Sequence, residues 1–434
     1  MTRAFVEHRL GLLVLVVVSL TALYGVAYVT TPAPLPPPPS APRKVSVESV
    51  TAVCPGAKGQ RVGVYLPGTV NGETMEDAKP FVTKGPAGLE AGYLTRVTKG
   101  AGRGLAGVRC TEPSAATWLV GPGPANADVR LHLTNADKTP ALADVQVYAA
   151  EGPISGDAGV GLEIAPGEHR EIDLRTLAPS ADIMALSVTT VFGRVAVAAR
   201  ATLETGGVDW LPPAAPPATR VVVPGIPGGG GPRRLLVAAP GEGDATVQIR
   251  AVSEDAEFAM RGKESLDVPA GGVVALDVTT GIAGSASALV LTSSAPVVAG
   301  LVITGTGGRS DVAFTAGTPS LDLGSAVARN AAGSELLLTA VGGPGAVRVQ
   351  VVRGEGAEQS LDVEVAAGRT RAVRLKAKGD FAVVVTPVSG EVYGGRVVRE
   401  RLKTGLLLTA QPLAPARMWT MLPPLTDTPR VVLP

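Results

Sequence analysis

The sequence has few of the side chains that carry most metal and catalytic chemistry. Its 434 residues include three histidines, two cysteines and 3% aromatic residues. Such scarcity excludes most metal centres and most histidine-based catalytic schemes, which need several of these groups close together. Lysine and arginine number 39 against 38 aspartates and glutamates, for a net charge of +1. Because nucleic-acid binding needs clustered basic residues, we predict no nucleic-acid partner, and we predict no cofactor.

Charged residues are also missing from the stretch 10–29, LGLLVLVVVSLTALYGVAYV. A helix of about 20 residues, rising ~1.5 Å per residue, spans a hydrocarbon core of ~30 Å. Arg3 and Arg9 precede the stretch, and positive flanks favour the cytoplasmic side. We therefore predict a cytoplasmic tail at 1–9, a single-pass anchor in the cell membrane at 10–29, and an extracytoplasmic main domain. The lipid bilayer is then one partner.

The same stretch leaves a second alternative open, a cleaved signal peptide. Gly25-Val26-Ala27 supplies the small residues of a cleavage site, although the apolar run exceeds the usual ~7–15 residues. Cleavage would make the protein secreted. Both alternatives export residues 30–434.

A proline-rich segment follows at 30–44, with Pro34 and the run Pro36 to Pro39. Proline fixes φ and removes a hydrogen-bond donor, which favours an extended polyproline helix of ~3.1 Å per residue. We predict a stalk that holds the next domain away from the bilayer.

The two cysteines, Cys54 and Cys110, both lie in the exported part. An even pair in an oxidising compartment predicts one disulfide, here closing a loop of 57 residues. The spacing is unlike the C-x-x-C of redox pairs, so the predicted role is structural.

Beyond residue 110 the apolar pattern is that of short β-strands ending at Gly, Pro, Asn or Asp. An apolar strand, an alternating strand and a glycine turn occur in the same order three times, with turns at Pro166-Gly167, Ala270-Gly271 and Ala367-Gly368. We predict tight hairpins at these turns, where glycine supplies positive φ. The predicted repeats are 118–220, 221–324 and 325–418, with terminal parts at 45–117 and 419–434 of an extracytoplasmic domain 45–434.

About eight strands per ~100 residues fit two all-β architectures. One is a β-propeller-like assembly of repeated four-stranded antiparallel sheets behind the N-terminal transmembrane helix. The other is a series of tandem immunoglobulin-like β-sandwiches. We favour the propeller because 430–434, RVVLP, matches the first strand of a repeat and would complete a first blade with strands from 45–53 and 61–66. In a series of tandem sandwiches, this last strand would be left without a partner and would expose a sheet edge.

Several short motifs, in this order, carry a family resemblance. They are Cys54-Pro55-Gly56, Cys110-Thr111-Glu112-Pro113-Ser114, Trp118-Leu119-Val120-Gly121, Asp209-Trp210-Leu211-Pro212, Val268-Pro269-Ala270-Gly271, Ser294-Ala295-Pro296-Val297-Val298-Ala299-Gly300, and the closing Leu408-Thr409-Ala410 with Pro412-Leu413. The chain resembles a family of actinobacterial secreted or membrane-anchored proteins known only as a domain of unknown function. The resemblance implies an envelope location and ~100-residue all-β repeats, and it supplies no catalytic residues. Related modules often place an acidic residue where Gly300 stands, which removes any role tied to that acid.

The weak candidates for ligand contact are aromatic and basic. Trp118, Trp210 and Trp419 lie in or before the elements that link the repeats, where packing between sheets and stacking on a sugar ring are both open. Arg233 and Arg234 follow the glycine run 228–231, which we interpret as a flexible turn with a possible acidic-glycan contact. His132 is predicted on a solvated strand face, and His169 at the surface.

The sequence contains no nucleophile elbow, no phosphate loop and no carboxylate pair at a telling spacing. We therefore predict a non-enzymatic binding or scaffold protein of the cell envelope whose partner is an unidentified protein or glycan. The alternative is a glycan-active envelope enzyme on a propeller scaffold. Such an enzyme would need converging carboxylates of perturbed pKa.

Overall fold

The structure is a computed structural model that describes residues 2–30, 43–100, 102–204, 206–307, 310–354 and 356–422. It divides into a unit of residues 1–45 with 421–434 and a unit of residues 46–420. The predicted last strand at 430–434 and residues 31–42 of the predicted stalk lie outside the described residues.

The N-terminal segment forms one helix, α1, Thr2–Thr30, as the uncharged stretch predicts. Among the described residues, no helix is both long enough and apolar enough to cross a bilayer. The predicted transmembrane anchor is therefore not shown. Strands β1, Arg43–Ser46, and β33, Trp419–Leu422, pair as a two-stranded sheet.

The remaining strands form four pairs of antiparallel sheets, which we number in chain order. In sheet pair 1, β2 Ser49–Cys54 and β5 Phe81–Pro86 face a sheet of β4 Thr69–Thr74, β3 Arg61–Leu66, β6 Glu90–Val97 and β7 Gly104–Arg109. In sheet pair 2, one sheet contains β8 Ala116–Pro122, β10 Ala141–Ala149, β11 Gly152–Ile154, β12 Leu162–Ile164 and β14 Ile183–Phe192. The other contains β9 Ala127–Thr134, β13 His169–Asp173, β15 Ala196–Leu203 and β16 Val208–Leu211.

Sheet pair 3 is continuous through β23, Ser287–Thr304, whose two halves join different layers. One layer holds β17 Ala218–Ile226, β19 Ala245–Ser253, β20 Glu257–Ala259 and β21 Ser265–Val268; the other holds β18 Arg233–Ala238, β22 Val273–Asp277 and β24 Val312–Ala316. Sheet pair 4 has β25 Ser325–Asn330, β27 Gly345–Val352, β28 Ala357–Val365 and β30 Phe381–Ser389 against β26 Ser334–Ala340, β29 Arg369–Arg374, β31 Val392–Leu402 and β32 Gly405–Pro412. Short 3-10 turns occur at Asp157–Gly159, Leu174–Thr176 and Leu321–Leu323.

Each pair encloses an apolar core built mainly from its own strands, because alternate residues of each strand point inward. In β10 the buried positions are Ala141, Ala143, Val145, Val147 and Ala149, with the intervening residues partly exposed. They pack with inward residues of β9 and β15 from the opposite sheet. Burying each Val or Leu contributes ~1.5–3 kcal/mol, so these cores need few aromatic residues.

The three glycine turns confirm their predicted backbone conformation but not their predicted connection. Gly167, Gly271 and Gly368 have φ of 74°, 69° and 63°. However, the strands on either side of each turn do not pair with each other: β12 pairs with β10, whereas β13 pairs with β9 in the opposite sheet. Sheet pairs 3 and 4 repeat this arrangement. The predicted hairpins are therefore arches that carry the chain from one layer to the other.

The described sheets show no propeller closure. A propeller blade is a single sheet built from consecutive strands, whereas here the chain crosses between two layers at each arch, so that consecutive strands share one core. The all-β class and the antiparallel repeated sheets are as predicted.

The last strands of the four pairs nevertheless contact one another in a closed cycle. Strand β7 contacts β16 and β32, and β24 contacts the same two strands. The first pair thus adjoins the last, and Val47 N donates to Met418 O at 3.1 Å. The two ends of the 46–420 unit therefore lie side by side near Val47 and Met418.

Candidate functional site

A cavity of about 290 Å³ lies where sheet pairs 1, 2 and 4 meet. Its walls come from the end of β7, the start of β8, part of β15, and the ends of β16 and β32 with the segments that follow them. Because β7, β16 and β32 belong to the closed cycle, the cavity is assembled from residues far apart in the chain. We call it the junction cleft.

One wall of the junction cleft is apolar. It contains Trp118, Trp210, Pro212, Pro213 and Pro412. The Trp118 ring is partly exposed and packs on Tyr148 with ring centroids 5.7 Å apart. Trp210 is only 7% exposed and meets Tyr93 edge-on at 6.4 Å. Two of the three tryptophans predicted from the sequence therefore lie in one site, with Trp118 the more accessible.

Asp209, next to Trp210 on β16, connects this strand to the neighbouring sheet pairs. Its Oδ1 accepts hydrogen bonds from Gly107 N and Trp210 N, both at 2.9 Å, and from Thr409 Oγ1 at 3.1 Å. These donors belong to sheet pairs 1, 2 and 4, so one buried carboxyl group aligns the three walls. Burial raises the pKa of Asp209 well above its usual range, although the hydrogen bonds oppose the shift.

The lining of the cleft also includes charged residues. Arg109 binds Glu90 with two nitrogens, with Nε 2.9 Å from Oε2, and its Nη2 also donates to Pro415 O at 3.0 Å. Glu90 is fully buried behind it. Arg417 Nη2 donates to Cys110 O at 2.6 Å, and Arg417 Nε lies 3.8 Å from Glu112 Oε2.

Two polar atoms in this part of the lining lack hydrogen-bond partners among the described residues, Arg417 Nη1 and Thr111 Oγ1. Arg417 Nη1 has only an ion pair with Glu90 Oε2 at 3.7 Å. Burial lowers the pKa of Arg417, whose side chain is 10% exposed. Both atoms are themselves buried, so neither is presented to a ligand in the cleft.

The predicted disulfide is confirmed. Cys54 and Cys110 are bonded, their Cα atoms are 4.3 Å apart, and both are fully buried. Cys110 also lines the junction cleft, and its carbonyl oxygen receives Arg417. The bridge therefore stabilises the core of sheet pair 1 and one wall of the site together.

The other predicted contact residues lie elsewhere. Trp419 is 40% exposed and does not line the cleft. Arg233 is buried, and its guanidinium donates to the carbonyl groups of the surrounding turn and of Thr304, which indicates a structural role. Arg234 is exposed, and it adds a small contribution to the lowered pKa of Asp277, which is caused mainly by hydrogen bonds from Thr279.

His132 and His169 occupy positions that differ from the prediction. His132 and His169 stack with ring centroids 5.4 Å apart, and His132 also lies 5.4 Å from Trp210. Burial lowers the pKa of His132 to about 4, because the His132 side chain is only 13% exposed. The described part of the chain places no group of three His, Cys, Asp or Glu where a metal ion could bind.

The charged residues of the cleft had no signal in the sequence. Arg109 and Pro415 are separated by 306 positions, and Arg417 and Cys110 by 307. No local spacing in the sequence predicts contacts between residues so far apart. Four of the sequence motifs contribute residues to the site: Cys110 to Ser114, Trp118 to Gly121, Asp209 to Pro212 and Pro412-Leu413.

A family model described as a family of unknown function (DUF5719) matches residues 78–376. Among solved structures, an anti-sigma factor domain-containing protein from Clostridium clariflavum shares 11% identity, covering 85% of this chain and 99% of its own, with a TM-score of 0.13. A structure of infectious bursal disease virus, Gx strain, shares 10% identity over 93% of this chain and 90% of its own, with a TM-score of 0.12. At such TM-scores neither likeness supports a conclusion about fold or function. No curated protein matches.

Proposed function

We propose a function from the junction cleft, because the chain belongs to this family of unknown function and membership brings no activity with it. The protein is an extracytoplasmic, non-enzymatic binding protein of the cell envelope, and its cleft takes one sugar ring of an envelope glycan. The observation that carries the proposal is that Trp118 and the charged residues Arg109, Glu112 and Arg417 line one cavity.

The chemistry of the cleft suits a sugar better than a protein surface. A pyranose ring has an apolar face for an aromatic side chain and hydroxyl groups for arginine and carboxylate partners. The volume of about 290 Å³ is near the lower limit for ligand pockets and suits a single ring. A flat protein partner would reach little of a recessed wall.

Two features support export and an envelope location within this proposal. The Cys54–Cys110 disulfide is of a kind that persists in oxidising compartments. The uncharged stretch 10–29 behind Arg3 and Arg9 agrees with either an anchor or a cleaved signal peptide. The sheet pairs, each with its own core, support tandem sandwiches as the scaffold that holds the cleft.

The test is a titration of the full chain, which contains the 46–420 unit, with soluble cell-wall glycan fragments. Binding is monitored by tryptophan fluorescence and by calorimetry. We expect saturable binding. Trp118→Ala should weaken this binding about tenfold, because stacking of a ligand ring on an aromatic side chain contributes ~1–3 kcal/mol to the binding free energy. Trp419→Ala is the matched control, because Trp419 is more exposed and does not line the cleft. Equal loss in both variants, or no binding by the wild type, would contradict the proposal.

A second readout separates binding from catalysis and locates the chain. Glycan fragments recovered after long incubation should keep their length, and shortening would favour the glycan-active enzyme instead.

Protease added to intact spheroplasts should degrade the all-β unit. A mature product beginning near Tyr28 would identify a cleaved signal peptide, and retention of α1 would identify an anchor.

A further inference from the structure

We infer that the open edge of β29 is a docking site for an extended, acidic segment of a partner protein, which adds to the sheet as one more strand. The site shares no lining residue with the junction cleft, so the inference is independent of the proposed function. It follows from unused backbone groups at the edge, from a cavity beside them and from an excess of cations around that cavity.

The backbone of β29 is paired on one side only. This strand, Arg369–Arg374, is the last of its sheet and pairs with β26 among the described strands. Just beyond its end, Leu375 N donates to Ser334 O at 3.0 Å. Backbone groups of successive residues point to opposite sides of a strand, so those of Ala372 and Arg374 point away from β26. No described residue forms a hydrogen bond with them. This edge can therefore accept another strand.

A cavity of about 530 Å³, which we call the edge groove, lies beside these groups. It touches all four residues of 371–374, and because successive side chains point to opposite faces, such a cavity runs along the strand edge. One wall includes Leu361 of β28, which is 44% exposed, and the other includes Gly228 and Ala286 of sheet pair 3. Strand addition combines main-chain hydrogen bonds with apolar pockets for alternate side chains, and the edge groove offers both.

The lining of the edge groove has more cations than carboxylates. Its charged residues are four cations and two carboxylates, namely Arg371, Arg374, Lys376, Arg399, Glu254 and Glu335. Glu335 is buried and already bound by Arg399 Nη2, and Arg374 Nε lies 3.7 Å from its Oε1. The Arg374 side chain is 86% exposed. Lys376 is also exposed and forms no hydrogen bond or ion pair with a described residue. The accessible charge is therefore mainly positive.

The flanking charges leave this excess of two cations unchanged. Four exposed residues that adjoin the groove are two cations and two carboxylates, namely Arg369, Lys378, Asp255 and Glu364. Glu257, also nearby, pairs with Arg250 at 2.6 Å. The edge groove thus keeps a net positive charge in a chain that is close to neutral overall.

This charge selects the occupant of the edge. A second copy of the same edge would bring the same cations into the groove, and like charges on neighbouring strands are destabilising. Arg374 and Lys376 are two positions apart, the period at which side chains return to one face of a strand. Carboxylates at alternate positions of an added strand would meet both cations, while its backbone pairs with Ala372 and Arg374.

The experiment uses two octapeptides with blocked ends, in which valine alternates either with glutamate or with glutamine. Calorimetry with the full chain should show that the glutamate peptide binds about threefold or more tightly than the glutamine peptide, the size expected for a few exposed ion pairs. The preference should weaken at high salt. Arg234→Gln is the control, since Arg234 is exposed and outside the groove; it should leave both affinities unchanged.

Two variants at one position separate charge from strand pairing. Arg374→Gln removes a cation and should weaken the glutamate peptide a few-fold. Arg374→Pro removes the same cation and also the N–H at the open edge, so it should weaken both peptides by a further fivefold or so. Proline is tolerated there because the missing N–H does not face β26.

Equal affinity of the two peptides, no binding of either, or equal affinities in Arg374→Gln and Arg374→Pro would overturn the inference. If Arg374→Pro does not fold, a glutamate peptide with methylated backbone nitrogens decides, because it keeps the charge and loses the donors. Full affinity of that peptide, or its replacement by polyphosphate at equal charge, would identify a site for polyanions without strand addition. Glycan binding in the junction cleft should be the same in Arg374→Gln and the wild type, so either proposal can fail alone.

Discussion

Asp311 Oδ2 accepts a hydrogen bond from Leu105 N at 2.8 Å, although the two residues are 206 positions apart. The same oxygen accepts from Leu408 N at 3.0 Å, and Oδ1 accepts from Val312 N at 2.9 Å and Val208 N at 3.3 Å. The four donors lie on β7, β32, β24 and β16, one from each sheet pair. A single buried carboxyl group therefore joins all four pairs where their last strands meet.

We expect Asp311→Ala to destabilise the protein by at least ~3 kcal/mol, because it leaves several backbone N–H groups buried without an acceptor. Chemical denaturation of the two proteins measures the difference in the free energy of unfolding. Asp322→Ala is the control, since Asp322 is exposed and interacts with Ser320 two positions away. A loss for Asp311→Ala no larger than that of the control would show that this carboxyl group does not join the pairs.

The stability should also depend on pH through Asp311. Burial raises the pKa of Asp311 to about 6, even though its four backbone hydrogen bonds act in the opposite direction. The unfolded chain has a pKa of about 3.9 at this position. Between these values the folded protein binds a proton that the unfolded chain has released. The stabilisation is complete below pH ~4 and is lost as the pH rises to about 6.

The measurement is the free energy of unfolding from pH 4 to 6.5 for the wild type and Asp311→Asn. We expect the wild type to lose up to about 3 kcal/mol relative to the variant over this range, at ~1.4 kcal/mol per pH unit. Asp277→Asn is the control, because hydrogen bonds from Thr279 lower the pKa of Asp277, and its contribution changes only below the window. Parallel curves for wild type and Asp311→Asn would show that Asp311 has no raised pKa.

Removal of the disulfide should affect stability and the cleft together. The bridge closes a separation of 56 positions, for which the chain-entropy account gives ~4 kcal/mol. We expect Cys54→Ala/Cys110→Ala to lose stability of this order and to bind glycan more weakly, because Cys110 lines the cleft. Denaturation and calorimetry on the variant, with the wild type in reductant for comparison, provide the check. If the destabilised variant kept full glycan affinity, the disulfide would contribute to stability but not to the binding site.

The contact between sheet pairs 3 and 4 depends on two glycines. Gly225 has φ of 78°, and a methyl group added at Gly395 would overlap Gly225 Cα. Because both sides of the overlap are backbone, neither can move away cheaply. We expect Gly395→Ala to cost on the order of 1–3 kcal/mol. Gly343→Ala, where a methyl group meets nothing within 4 Å, should change stability little in the same thermal unfolding experiment.

Strand positions and turn conformations could be predicted because both depend on local chemistry. The predicted apolar strand Val129 to Leu133 lies within β9, and the alternating strand Val145 to Tyr148 lies within β10. Gly167 has the predicted positive φ. Period-two alternation and glycine turns are properties of neighbouring residues, so they can be recognised without knowledge of the fold. Sequence patterns alone could not show whether the strands beside Gly167 pair with each other or with opposite layers.

The sequence by itself determined the all-β class, the approximate strands, the glycine turns and the pairing of its only two cysteines. The first three depend on patterns among neighbouring residues, and the last follows because two cysteines allow only one pairing. The tertiary structure alone decided the arches, the cycle of last strands and the junction cleft. Trp118, Trp210 and Arg417 become neighbours in one cavity because three sheet pairs meet there. Contacts across about 300 positions, such as Arg417 with Cys110, depend on how whole sheets pack, and no spacing within a strand encodes them.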